Sequence, residues 1–213
     1  MKSPLETAQK RTRRYWYEDG LPELAAGGVI CLMALVNLAV AQLAPPDWKG
    51  WLSAIGLPLI VIGGGILARA LILRLKERLT YPRSGYLVYP RAKPSRRFLT
   101  AGVGMGAAFI VAVLTAWLSA AQSERLIPAL TGLFAALLIL FLGMRVGLVR
   151  FYLLAVWQFG WGLAGSRLNL PAPYDLVLFF GSLGVGLLVS GGVTLFRYLR
   201  NNPLPLADNE DQP

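Results

Sequence analysis

The chain has no histidine and one cysteine, Cys31, which lies inside an apolar run. No disulfide can close within it and no Cys/His metal cluster can be built, so neither a metal nor a cofactor is expected. Charge is scarce as well: charged residues make up 15% and hydrophobic residues 55%. A soluble domain of 213 residues would carry more charge and shorter apolar runs. No acid falls in the middle of a long apolar segment, which argues against a proton pump working through a buried carboxylate. No Ser, Cys or acid pair stands in an activating arrangement, so no catalytic residue is assigned and an enzyme has least support.

What the chain does have is a series of apolar runs that approach or exceed the ~20 residues needed to cross a bilayer. The expected fold class is an all-α integral membrane protein, a bundle of about six transmembrane helices in three hairpins. A basic N-terminal segment, 1–22, precedes a first hairpin, 23–74, with spans Glu23–Leu43 and Trp51–Leu73. A basic loop, 75–98, follows, and then four further segments, 99–196, and a tail, 197–213. Those four are Leu99–Ala121, Leu126–Met144, Phe151–Gly165 and Tyr174–Leu195. Phe151–Gly165 is short for a crossing; it either borrows residues from Gly147 onward or is re-entrant or tilted. The polar region of about twenty residues at the N-terminus, followed by a run long enough to span, does not fit a cleavable signal peptide. No soluble catalytic domain is expected at either end.

The formal charge of +10 invites a nucleic-acid reading, but the cations sit in loops and at helix ends, which suits anionic phospholipid headgroups better. With six spans, all the Lys and Arg residues except Lys49, Arg125 and Arg167 fall on one side. The positive-inside rule then makes that side cytoplasmic, with both termini there. A five-span chain would place one terminus outside. Arg14-Tyr15, Arg97-Phe98 and Arg150-Phe151 open the three hairpins alike, through either triplication or the positive-inside rule acting three times.

The least generic stretch is Lys76–Phe98, where Tyr-Pro-Arg occurs at 81–83 and again at 89–91. Pro82 is expected to push Tyr81 out of the helical region and end the second span's extension. Ser84-Gly85 suits a turn, and Tyr86 to Tyr89 suits a short hairpin on the membrane surface. The loop is either a rigid lipid-facing connection or a docking surface for anionic lipid or a protein partner. Its candidate binding residues are Arg78, Tyr81, Pro82, Arg83, Gly85, Tyr86, Tyr89, Arg91, Lys93, Arg96 and Arg97.

Within the spans, Asn37, Thr115 and Gln158, with Gln42 nearer the outer end, are helix-to-helix glue or the lining of a transport cavity. Gly102/Gly106, Gly143/Gly147, Gly160/Ala164 and Gly186/Ser190 are spaced for close helix contact. Gly102-Val-Gly104-Met-Gly106 lies inside an apolar helix and does not follow a strand, so it is not a phosphate loop. Arg69 and Arg145 lie close enough to the inner boundary to snorkel, and Glu23 and Asp175 suit the positive ends of helix dipoles.

Arg-Arg-Tyr-Trp-Tyr-Glu-Asp-Gly-Leu-Pro-Glu-Leu at 13–24 and Glu-Arg-Leu-Thr-Tyr-Pro-Arg-Ser-Gly-Tyr at 77–86 resemble segments of an uncharacterised group of prokaryotic multi-span membrane proteins. The resemblance covers mainly the first third of the chain and carries no activity to transfer. It implies a cytoplasmic or inner cell membrane. The leading expectation is a non-catalytic membrane protein that binds partner proteins, a second copy or anionic lipid through its basic face. The alternative is a small transporter or the substrate-binding subunit of one.

Overall fold

The computed structural model of the chain describes residues 15–84, 106, 110, 113–119, 124–171 and 174–203. Five long helices dominate: α1 (Leu21–Leu43), α2 (Pro46–Leu75), α4 (Ile127–Val146), α5 (Val149–Leu168) and α6 (Tyr174–Asn201). A π turn, Lys76–Thr80, joins α2 to the short α3, Tyr81–Ser84, and a 3₁₀ turn, Glu124–Leu126, leads into α4. No strand occurs among the described residues. Four helices are long and apolar enough to cross a membrane: α1, α4, α6, and α2 together with its continuation to Arg83. The expected third span lies mostly outside the described residues, of which 113–119 are helical.

Helix ends follow local chemistry. Asp19 accepts a hydrogen bond from Leu21 N at 3.2 Å, Gly20 turns the chain at φ 72°, and Pro22 opens α1 with Glu23 in its first turn. Ala44 is extended ahead of Pro45, and α2 restarts at once at Pro46 with Asp47 in its first turn. The expected outer loop is therefore shorter and α2 longer than the apolar run implies. Gly147 at φ 76° and Asn169 at φ 49° close α4 and α5 in the left-handed region. At 20 residues α5 is ~30 Å long. It borrows from both sides of the apolar stretch and takes Arg150 and Arg167 into its end turns.

The expectation for Tyr81 is corrected. Its backbone is right-handed helical, at φ −64° and ψ −37°, and the helix passes through Pro82 to Ser84. Proline is tolerated because it falls in the first turn of α3, where a missing N–H costs least. The wider turn just before it releases the ladder a proline would otherwise break. The proposed hairpin at Tyr86–Tyr89 lies outside the described residues.

The helices stand side by side in the order α2, α1, α6, α5, α4, each antiparallel to the one it packs on. Glycines set the two closest seams. A Cβ on Gly184 would lie 2.5 Å from Cys31 Sγ and 2.9 Å from Cys31 N, and one on Gly27 would lie 2.9 Å from Leu188 N. Between α4 and α5, a Cβ on Gly132 would sit 2.6 Å from Gly162 Cα. Without a hydrophobic drive between helices in lipid, backbone approach of this kind holds such elements together. Leucine, isoleucine, valine and phenylalanine side chains on the outward faces are exposed in all five long helices.

The glycine pairs read from the sequence divide. Gly186 sits under the Trp157 ring and Gly143 against Phe151, both at helix contacts. Gly147 serves as a cap and not as half of a packing pair, because a left-handed residue is needed there. No described atom lies within 4 Å of where a Cβ would stand on Gly160 or Gly106, and Gly102 lies outside the described residues.

Candidate functional site

One end of the row gathers the starts of α1 and α5 and the ends of α2, α4 and α6. Two carboxylates organise it. Asp19 is fully buried and meets Lys76 Nζ at 2.5 Å, with Thr80 Oγ1 donating to the same oxygen at 2.9 Å. Lys76 is also fully buried; it donates to Trp16 O at 3.0 Å and lies 4.9 Å from the centre of the Trp16 ring. The π turn places Lys76 and Thr80, its first and last residues, together on Asp19.

Glu23 is the second carboxylate, 2% exposed. Arg150 Nε donates to its Oε1 at 2.7 Å and Ser190 Oγ to its Oε2 at 2.7 Å, which ties α1, α5 and α6 to one side chain. Arg150 also donates to Tyr17 O and lies 5.6 Å from the Phe151 ring centre. Tyr17 and Phe151 meet edge to face at 5.5 Å over a small core of Val146, Phe151 and Leu154. Burial, then the nearby charge of Glu23, raise the Tyr17 phenol above its ordinary pKa, while Arg145 opposes them. Arg83 completes the end: its guanidinium donates to Leu199 O at 3.1 Å and Asn202 O at 2.9 Å, filling two carbonyls that the last turn of α6 leaves open.

These contacts change the reading of several residues. Lys76 belongs to the basic stretch expected to face lipid, yet it is withdrawn into the protein, because Asp19, Trp16 O and an aromatic face replace its water. Arg83 is half-buried and braces α6. Glu23 sits at a helix start as expected but is bound by two side chains as well. Arg78 and Pro82 are exposed and Tyr81 is half-buried, while Gly85, Tyr86, Tyr89, Arg91, Lys93, Arg96 and Arg97 lie outside the described residues.

The four intramembrane polar residues are dispersed. Asn37 is buried and donates to Met33 O one turn back at 2.8 Å, and Gln42 is exposed. Gln158 is fully buried at the α5–α6 contact, where its amide faces Phe179 O and Ser182 Oγ, each at 3.5 Å. Thr115 is half-buried in the helical stretch 113–119.

Beside the carboxylates a groove of about 740 Å³ runs between α5 and α6. Its apolar wall includes Leu153, Trp157, Val185, Val189 and Val193, and its polar end carries Glu18, Arg150, Arg197, Asn201 and Asn202. None of the four polar residues expected to form a cavity lines it. Every oxygen of both carboxylates accepts a hydrogen bond from a donor of the same chain, so the pair fastens helix ends together. Sequence reasoning missed Asp19, Thr80 and Ser190 and the partners of Lys76 and Arg150. The available signal was that both distinctive segments, 13–24 and 77–86, contribute to one clasp. No protein-family model, curated protein or solved structure matches the chain.

Proposed function

We propose that the chain is a non-catalytic integral membrane protein that binds anionic phospholipid at a cytoplasmic basic face. The observation that carries this reading is the division of cations at the clasp end. Lys76 and Arg150 are neutralised internally by Asp19 and Glu23, whereas Arg78, Arg145 and Arg200 remain exposed around the same end. Fixed elements thus carry a rim at the ends of the apolar helices on which exposed arginines outnumber the exposed acids Glu18 and Glu77. Near an anionic surface each such cation contributes about 1 kcal/mol, screened within a Debye length.

Six spans with cytoplasmic termini belong to the same reading. The end of α2 lies at the clasp and the start of α4 at the far end, which supports the reading in which a third span crosses between them and the total is six. The resemblance to prokaryotic multi-span proteins fits an inner cell membrane.

Native mass spectrometry of protein released from mixed phosphatidylglycerol and phosphatidylcholine micelles tests the function. Phosphatidylglycerol should be retained in preference, less so as salt rises, and the preference should fall in an Arg78→Gln/Arg145→Gln/Arg200→Gln variant. Equal retention of the two lipids by the native chain would overturn the proposal.

A further inference from the structure

We propose that the groove between α5 and α6 seats one aminophospholipid, with an acyl chain along the apolar wall and the phosphate and ammonium at its polar end. The site is separate from the basic rim and rests only on the membrane-spanning part of the reading above.

Depth supports this occupant. α6 rises ~1.5 Å per residue from Tyr174, which places Val193 ~29 Å and Arg197 ~35 Å along it. The hydrocarbon core is ~30 Å thick, so Arg197 reaches headgroup level when Tyr174 marks the far boundary. From Arg197 back to Val185 is ~18 Å, close to one leaflet. The groove therefore begins among headgroups and ends near the bilayer midplane, against Trp157, whose indole N–H is already bound to Ser182 O at 2.9 Å. Its volume lies within the range of pockets that enclose one small ligand.

Charge chooses the headgroup. Among the described residues, three ionised side chains line the polar end: Glu18, Arg150 and Arg197. Arg150 is neutralised by Glu23 at 2.7 Å. Glu18 and Arg197 are both exposed, form no ion pair with each other, and have no ion-pair partner among the described residues. Among the described residues the mouth is thus near neutral overall, with one separated cation and one separated anion. A net-anionic headgroup would satisfy Arg197 and be repelled by Glu18. A phosphodiester bearing a primary ammonium satisfies both, with Asn201 beside them. A quaternary ammonium has no N–H to donate to the Glu18 carboxylate and so loses a charge-assisted hydrogen bond.

The experiment is native mass spectrometry of the full chain after delipidation and incubation with equal phosphatidylethanolamine, phosphatidylcholine and phosphatidylglycerol. One phosphatidylethanolamine should be retained, about tenfold over phosphatidylcholine, and about tenfold over phosphatidylglycerol once the rim arginines are neutralised, in keeping with the loss of one charge-assisted contact. Arg197→Gln should lower its retention about tenfold, and Glu18→Gln should erase the preference over phosphatidylcholine. Val189→Trp, which fills the groove from an exposed position, should abolish the bound lipid while leaving the melting temperature unchanged. Retention of phosphatidylcholine at or above phosphatidylethanolamine overturns the proposal, and so does retention of phosphatidylglycerol at or above phosphatidylethanolamine in the rim variant Arg78→Gln/Arg145→Gln/Arg200→Gln. So does a folded Val189→Trp variant that still carries the lipid. The rim variant Arg78→Gln/Arg145→Gln/Arg200→Gln separates the two readings. It should keep its phosphatidylethanolamine, and the proposal is overturned if it does not, whatever becomes of the anionic-lipid preference.

Discussion

Lys76 is a cation with no exposed surface, held by one carboxylate, one carbonyl and one aromatic face. Such a pair adds little stability over a well-packed apolar pair, because both charges give up their water. Losing one partner is a different matter, since the other is left charged and buried at a cost of about 3–5 kcal/mol. Lys76→Met should therefore unfold the detergent-solubilised protein well below the native temperature. The Lys76→Met/Asp19→Asn double variant should recover part of that loss, and a double-mutant cycle of thermal melts reads the coupling directly. Strict additivity of the two changes would show that the residues do not act as a pair. None of this pairing was legible in the sequence. Asp19 lies 57 residues from Lys76, and Glu23 lies 127 from Arg150 and 167 from Ser190. Nothing in composition or spacing reports which distant ends meet. Charge near a helix start, as at Glu23, is explained equally well by the dipole.

Among the elements, α1 and α6 depend on a run of residues without side-chain bulk: Gly20, Gly27, Gly184 and Gly191 each face backbone of the other helix. Gly28, one position from Gly27, points into open space. Gly27→Leu should separate the two helices and lower the melting temperature, whereas Gly28→Leu should leave it nearly unchanged and serves as the matched control for added apolar bulk. Equal effects would mean that the seam is not where the protein is held. Helices of this kind were readable in the sequence because an apolar run ending in Arg or Pro states its own limits. Their pairing was less so: Gly143 and Gly147 have the spacing of a contact pair, but the second is consumed in ending the helix.

For the whole molecule, the clasp end collects exposed arginines from several helices, while Lys49, Arg125 and Arg167 lie towards the other. Reporter fusions at Pro213 and within Ser166–Pro173 should fall on opposite sides of the membrane, with Pro213 cytoplasmic. The same side for both would remove the six-span arrangement and the cytoplasmic assignment of the basic face with it. Length and hydropathy made this level the most legible, because crossing a bilayer imposes ~20 apolar residues whatever the protein does. The groove was invisible for the opposite reason: Leu153, Trp157, Val185 and Val189 are ordinary span residues until two helices diverge around them.

The π turn at Lys76–Thr80 also sets a direction. It holds about one residue more than an α turn, and one residue corresponds to ~100° about the helix axis. The side chains of Tyr81, Pro82 and Arg83 are phased by that single residue, which is how Arg83 comes to face the end of α6. A one-residue insertion or deletion there would move the following segment only ~1.5 Å along its axis. It would, however, turn α3 by more than a quarter of a circle, so this short junction works as an angular index that sets Arg83 against the last turn of α6.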